Sequence, residues 1–245
     1  MHDFSIELCG VKIGISALCP DTRSFFRDYL SSGPAELFVA ISPEDLSYER
    51  EQARLQDELD GVPPRRYSDR YMETQAILRK VADALLMKDK LLFHGSCLAV
   101  GGRAYMFTAP SGTGKTTHTR LWLELLPEAH VLNGDKPFLA LEPDGQVLCC
   151  ADPWQGKENY GTNEILPLQA ICIIHRGESN RIEEISFSEA FADLIRQAYR
   201  PEGGDGMLKT LPLVGRIGQG VKLYRLWCNM DLEAAKVSSA AMLKR

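Results

Sequence analysis

The stretch Ala109-Pro110-Ser111-Gly112-Thr113-Gly114-Lys115-Thr116 constrains this chain more than any other. An apolar run, Ala104 to Thr108, leads into it, and an amphipathic run starting at Lys115 leads out. The order predicted is strand, glycine-rich loop, helix. Gly112 and Gly114 permit backbone conformations that turn successive N–H groups toward one anion. The helix that follows aims its N-terminal partial positive charge at the same place. The spacing is that of a Walker A loop with Ala at its first position. On that reading Ser111, Gly112, Thr113, Gly114, Lys115, Thr116 and Thr117 hold a nucleoside polyphosphate. Lys115 neutralises β- and γ-oxygens, the Thr116 hydroxyl ligates Mg²⁺, and Thr117 reaches toward the α-phosphate. A chance Gly/Ser/Thr turn is the bland alternative, and the flanking strand and helix argue against it.

The run "KLLFHGSCLAV" and the run "RAYMFTA" read as two strands joined at Gly101-Gly102, a pair suited to a tight hairpin. The strand entering the loop is thus expected to pair antiparallel with its predecessor. His94 lies within the first of these strands, and a lone His there reads by itself as a satisfied core residue. Downstream, "HVLNGDK", "PFLALEPDGQVLCCADP", "PLQAICIIHRG" and "VKLYRLWCN" read as strands of the same core. "SEAFADLIRQAYR", "GDGMLKTLPLVGRI" and "DLEAAKVSSAAMLK" read as helices, the last capped by Asn229 or Asp231. Upstream, "FSIELC" and "VKIGIS" flank Gly10 as a strand pair, "DTRSFFRDYL" reads as a helix and "ELFVAI" as a strand. The charged run from Ser42 to Gly61 reads as a solvated helix or a poorly ordered segment, and "GVPPRRYSD" as a hinge. A further helix is capped by Ser68, with Tyr71, Leu78, Val81, Ala82 and Leu85 on its apolar face. The fold class is therefore α/β, leaning to α+β. A small N-terminal α/β subdomain (1–66) precedes a core with a mixed sheet built on the glycine-rich loop (67–245).

Bulk electrostatics narrow the partners. The formal net charge is -5 and no basic block interrupts the 245 residues, so neither nucleic acid nor an anionic membrane is expected as a partner. No apolar run has the length of a membrane span, and the N-terminal "MHDFSIELCG" lacks a secretory pattern. The seven cysteines are odd in number and without C-x-x-C spacing, which fits reduced, mostly buried thiols in a cytoplasmic protein.

A second group of residues could carry chemistry. Asp135 ends the strand "VLNGD", where a carboxylate beside a phosphate loop can hold Mg²⁺ or take a proton from a hydroxyl. An Asn-Gly-Asp turn is the plain alternative. The polar segment "DPWQGKENYGTNE" lies between core strands, and its Lys157 and Glu158 could clamp phosphate and orient a substrate group. His118 and Arg120 read as surface positions on the helix after the loop. Arg176, Arg200, Arg216 and Arg225 are scattered, and no local pattern promotes any of them.

"HGSCLAVGGRAYMFTAPSGTGKTTHTR", "VLNGDKP" and "PWQGKENYGTNEILPLQAI", about residues 91–175, together resemble the HPr kinase/phosphorylase-like proteins, which share a fold with the phosphoenolpyruvate carboxykinases. The resemblance implies a central sheet with a hairpin feeding the phosphate loop, ATP with a divalent metal, and phosphoryl transfer to a hydroxyl. It implies the phosphate and metal roles for Lys115 and Thr116, the catalytic-acid position for Asp135 and an active-site histidine at His94. The bacterial HPr kinases carry two adjacent acids where this chain has Gly134-Asp135. One carboxylate then covers base and metal duty unless Glu158 assists. Their segment associated with reverse phosphorolysis is not matched by "PWQGKENYG". The acceptor implied is a hydroxyl of a protein, a peptide or a small molecule such as free serine. A nucleotide-binding regulatory module without phosphoryl transfer is the alternative, and a carboxykinase-type enzyme is a third reading that the chain length disfavours. The N-terminal part is expected to shape acceptor access or to form a homo-oligomer.

Overall fold

The computed structural model describes residues 1–156, 161–202 and 204–244. The chain divides into two compact units, Met1–Ala84 and the remainder from Leu85. In the first unit β1 (His2–Leu8) and β2 (Val11–Ala17) form an antiparallel hairpin, closed by Cys9 and Gly10 at φ 53° and 72°. β2 buries every second residue, the period of a half-covered strand. The run read as one helix is instead a four-residue α1 (Thr22–Phe25) followed by a 3-10 turn, Arg27–Tyr29. Tertiary anchoring overrides helix propensity there: Phe26 is fully buried against Phe4. The buried Glu73 carboxylate also accepts from Cys19 N–H at 3.1 Å and from Thr22 Oγ1. β3 (Leu37–Ala40) pairs parallel with β2.

The charged run forms a regular helix, α2 (Pro43–Leu59), whose Ser42 and Asp45 make a reciprocal capping box. Its acids are matched by bases of α3 (Asp69–Leu86). Arg79 reaches Glu49 at 2.7 Å and Asp45 at 3.0 Å, and Lys80 reaches Asp45 at 2.6 Å. Ser68 Oγ accepts from Tyr71 N–H, capping α3 as its sequence suggests. The apolar face differs in one member: Tyr71 is 46% exposed and stacks on Tyr67, while Met72, Ala76 and Ile77 join Leu78, Val81, Ala82 and Leu85 in the interior. α3 falls almost wholly within the first unit, whereas the boundary read from sequence precedes it.

The second unit is mixed α/β. In chain order it contains β4 (Lys90–Leu92), β5 (Ser96–Val100), β6 (Arg103–Thr108), α4 (Lys115–Leu125), β7 (His130–Asn133), β8 (Phe138–Leu141) and β9 (Val147–Cys150). It continues with β10 (Ile165–Arg176), β11 (Arg181–Glu184), α5 (Phe187–Gln197), α6 (Gly204–Gly220), β12 (Lys222–Cys228) and α7 (Leu232–Met242). Among the described residues the strands form one mixed sheet in the order β4-β8-β9-β10-β6-β5-β7, with β12 on β10 and β11 on β12. β5 and β6 are the expected antiparallel hairpin, with Gly101 and Gly102 at φ 57° and 74°. β10 pairs parallel with β6 and with β12, so the C-terminal ends of β6, β10 and β12 lie side by side. Ala170, Cys172 and Ile174 of β10 belong to the apolar cluster of Trp122 on α4 and Ala235 on α7. The alternate residues Ile171 and Ile173 belong to that of Leu194 on α5 and Val214 on α6. Burial on both faces explains why β10 reads as a continuous apolar run. All seven cysteines are free thiols and six are buried. Among the described residues no helix is long and apolar enough to cross a membrane.

The stretch read as one strand, "KLLFHGSCLAV", is two. β4 pairs with β8, β5 pairs with β6 and β7, and Phe93–Gly95 crosses between them. His94 is therefore not inside a strand. Its N–H bonds to Gln197 O and that of Gly95 to Asp135 O, each at 2.9 Å. Gly95 is required by close approach, because a Cβ there would lie 3.0 Å from Met106 Cγ and 3.1 Å from Phe107 O. β11 has no counterpart in the sequence reading.

Candidate active site

The glycine-rich loop connects β6 to α4 at the C-terminal edge of the parallel strands, the usual ligand side of such a sheet. Gly112 and Gly114 adopt φ 75° and 126°, and the space a Cβ would fill at either is open. Backbone conformation, not crowding, is what selects glycine here. Gly114 caps α4 without a side chain covering the helix N-terminus, which leaves first-turn N–H groups for an anion. Lys115 folds back, its Nζ donating to Ala109 O at 2.9 Å. Burial pulls the Lys115 ammonium below the usual lysine range, and the Asp135 carboxylate works against that pull. Ser111, Gly112 and Thr116 are exposed, and Thr113, Gly114, Lys115 and Thr117 partly so.

Asp135 follows β7 in a side-chain-capped turn. Asn133 Oδ1 accepts from Asp135 N–H at 2.9 Å and from Lys136 N–H at 3.0 Å. The Asn-Gly-Asp turn is thus real, and it is the device that presents the acid. Asp135 Oδ2 pairs with Lys136 Nζ at 2.7 Å, and Oδ1 lies 3.7 Å from His94 Nε2. On the other side of the His94 ring, Nδ1 meets Gln197 Oε1 at 2.7 Å. Gln197 accepts there, so Nδ1 carries the proton and Nε2 presents a bare lone pair. Burial, reinforced by the Lys115 charge, holds His94 below the usual histidine range, so the ring is neutral at pH 7. Gly156, at φ 78°, packs closely enough that a Cβ would lie 3.0 Å from that of Asp135.

The structure thus brings His94 and Asp135 together, with Lys115 close enough to feel the Asp135 charge. Lys157 and Glu158 lie outside the described residues. Several neighbours have no local sequence signal. Gln197, at the end of α5, orients His94. Arg176 ends β10 beside the loop, donating to Gly112 O at 2.5 Å and Thr113 O at 3.4 Å. Asp152 is fully buried behind Asn133, its Oδ1 accepting from Asn133 Nδ2 at 3.0 Å and Trp154 N–H at 2.8 Å. Burial pushes the Asp152 carboxyl well above the usual range, whereas Asp135 is partly open to solvent. Among the described residues no group of three or more His, Cys, Asp or Glu side chains gathers as a metal cluster.

His118 corrects the surface reading. It is 2% exposed, lies edge-on to Phe107, and its Nε2 bonds to Ser238 Oγ on α7 at 2.9 Å. Burial lowers its pKa from 6.5 to about 4. The folded form therefore resists protonation that the unfolded chain accepts. Stability is complete above pH 6.5 and falls as pH drops toward about 4, by roughly 3 kcal/mol for this group. Urea unfolding between pH 4 and 7.5 should show a shallower decline in His118→Gln than in wild type; parallel curves would remove His118 as the source.

No family model matches the chain, and no curated protein matches it. Among solved structures, the Hpr(Ser) kinase/phosphatase from Coxiella burnetii is similar over 62% of this chain and 96% of its own, with 10% sequence identity and a TM-score of 0.36. At that level the likeness carries no functional argument.

Proposed function

We propose that the protein transfers the γ-phosphoryl group of ATP, with Mg²⁺, to a hydroxyl of a protein, a peptide or a small molecule such as free serine. The observation that carries this reading is a pair of acceptors with no proton between them. His94 Nε2 and Asp135 Oδ1 stand 3.7 Å apart, each partly open to solvent, beside a glycine-rich loop whose lysine is half-buried. Two acceptors at that distance are satisfied by a shared donor, and an O–H group is such a donor. In the reaction the acceptor oxygen bonds to the γ-phosphorus, the bond to the β–γ bridging oxygen breaks, and the hydroxyl proton passes to Asp135. ADP leaves. Positioning and charge neutralisation, rather than a covalent enzyme intermediate, supply the rate.

The residues present fit the ligands this requires. The loop leaves open space at both glycines, and α4 begins without a side-chain cap. Mg²⁺ commonly takes one or two protein oxygens and completes its shell with phosphate and water. The exposed Thr116 hydroxyl and the Asp135 carboxylate would hold it. When bound it offsets negative charge on the phosphates.

One observation favours the second reading, a nucleotide-binding module without transfer. Lys136 already pairs with Asp135 Oδ2, which occupies one of the two carboxylate oxygens that a base or a metal ligand would use. γ-Labelled ATP with pooled serine, peptides and lysate protein separates the two. Transfer of label to a hydroxyl supports the kinase. Slow turnover that no acceptor stimulates supports the module, and absence of ATP binding removes both.

A further inference from the structure

We propose that Arg176 is a positioning residue that holds the glycine-rich loop in its anion-binding shape by gripping the loop's outward carbonyls. The inference rests on the nucleotide-binding reading of that loop. Arg176 ends β10, three residues past Ile173, whose register partner is Thr108, the last residue of β6. Parallel pairing therefore delivers a guanidinium to the loop that leaves β6. Nη2–H donates to Gly112 O at 2.5 Å and Nε–H to Thr113 O at 3.4 Å.

Each peptide unit is planar and trans, so its C=O and its N–H point to opposite sides. Fixing the Gly112 carbonyl fixes the Thr113 N–H, which closes the loop's internal turn on Pro110 O at 3.3 Å. Fixing the Thr113 carbonyl turns the Gly114 N–H to the opposite side. These two peptides lie between the residues at φ 75° and 126°, where the backbone has the most freedom to collapse into another conformation. The loop's own lysine does not reach this segment, since Lys115 Nζ is bonded to Ala109 O. A planar fork on the end of a strand suits the task. It can hold two carbonyls at once, whereas an ammonium is a single point of attachment, and its base is anchored in a buried strand. Arg176 is itself exposed, so its replacement leaves the core intact.

The test compares wild type, Arg176→Ala and Arg176→Lys by backbone ¹⁵N relaxation without nucleotide, by ATP–Mg²⁺ calorimetry and by thermal unfolding. In Arg176→Ala the order parameters of Gly112, Thr113 and Gly114 should fall from about 0.85 to below about 0.6. The midpoint of unfolding should hold, and the ATP Kd should rise roughly 10-fold, as for loss of one charge-assisted hydrogen bond. Arg176→Lys should recover part of both losses. Unchanged order parameters in Arg176→Ala overturn the proposal. So does a loosened loop that binds ATP as tightly as wild type. If wild type itself binds no ATP, the nucleotide reading has failed, and the relaxation data alone decide whether Arg176 grips the loop.

Discussion

Replacing Lys115 by Ala should weaken ATP–Mg²⁺ binding by on the order of 10²–10³-fold without unfolding the protein. A lysine in this position makes charge-assisted hydrogen bonds to phosphate oxygens, each worth about 1.5–3 kcal/mol, and every 1.4 kcal/mol is about tenfold in Kd. The fold has little to lose. Burial already disfavours the Lys115 ammonium, and its Nζ donates to a loop carbonyl, Ala109 O. Thermal stability should hold or rise slightly. A consequence that needs no nucleotide follows from the same charge: Lys115 helps to keep His94 neutral, so in Lys115→Ala the His94 ring should titrate at higher pH in NMR. Calorimetry reads the first effect. An unchanged Kd would take the loop out of the nucleotide site altogether.

What the sequence reveals and what it hides divide along the range of the interactions. The β5–β6 hairpin is legible because Gly101-Gly102 dictates a local turn. The strand–loop–helix order is legible because its apolar flanks and glycines are contiguous. His94 is mistaken for a strand residue because the chain breaks there on partners far away in sequence, Asp135 O and Gln197 O. No local pattern encodes them. Arg176 looks like any surface arginine until the parallel register of β10 on β6 sets it beside the loop. His118 looks like a helix surface position because its burial depends on Ser238, on the last helix. Tyr71 fits the apolar spacing of α3, yet its ring turns to Tyr67. Asp152 could be read as a turn residue in a polar segment. Only the packing behind Asn133 buries it completely and raises its carboxyl well above the usual range, while Asp135 stays partly open to solvent.

Converting Asp135 to Asn should lower phosphoryl transfer by roughly 10²–10⁴-fold, the usual worth of a general base, while ATP affinity falls far less. The substitution keeps the size of the side chain and its capacity to hydrogen bond, and it removes the charge. The turn that presents it should survive, because the Asn133 side chain holds the backbone N–H groups of residues 135 and 136. The carbonyl of residue 135 still accepts from Gly95. Lys115 and the backbone amides would still hold the phosphates, so binding is retained where transfer is lost. The charge removed also supports the protonated forms of His94 and Lys115. Both should therefore titrate at lower pH in the variant, a shift visible by NMR before any acceptor is known. Intrinsic ATP hydrolysis serves as the first rate measurement, and label transfer follows once an acceptor is in hand. If Asp135→Asn hydrolyses ATP and phosphorylates its acceptor at the wild-type rate, Asp135 is a turn residue only. The base would then have to be sought at His94 Nε2, whose lone pair faces the same point, or at Glu158.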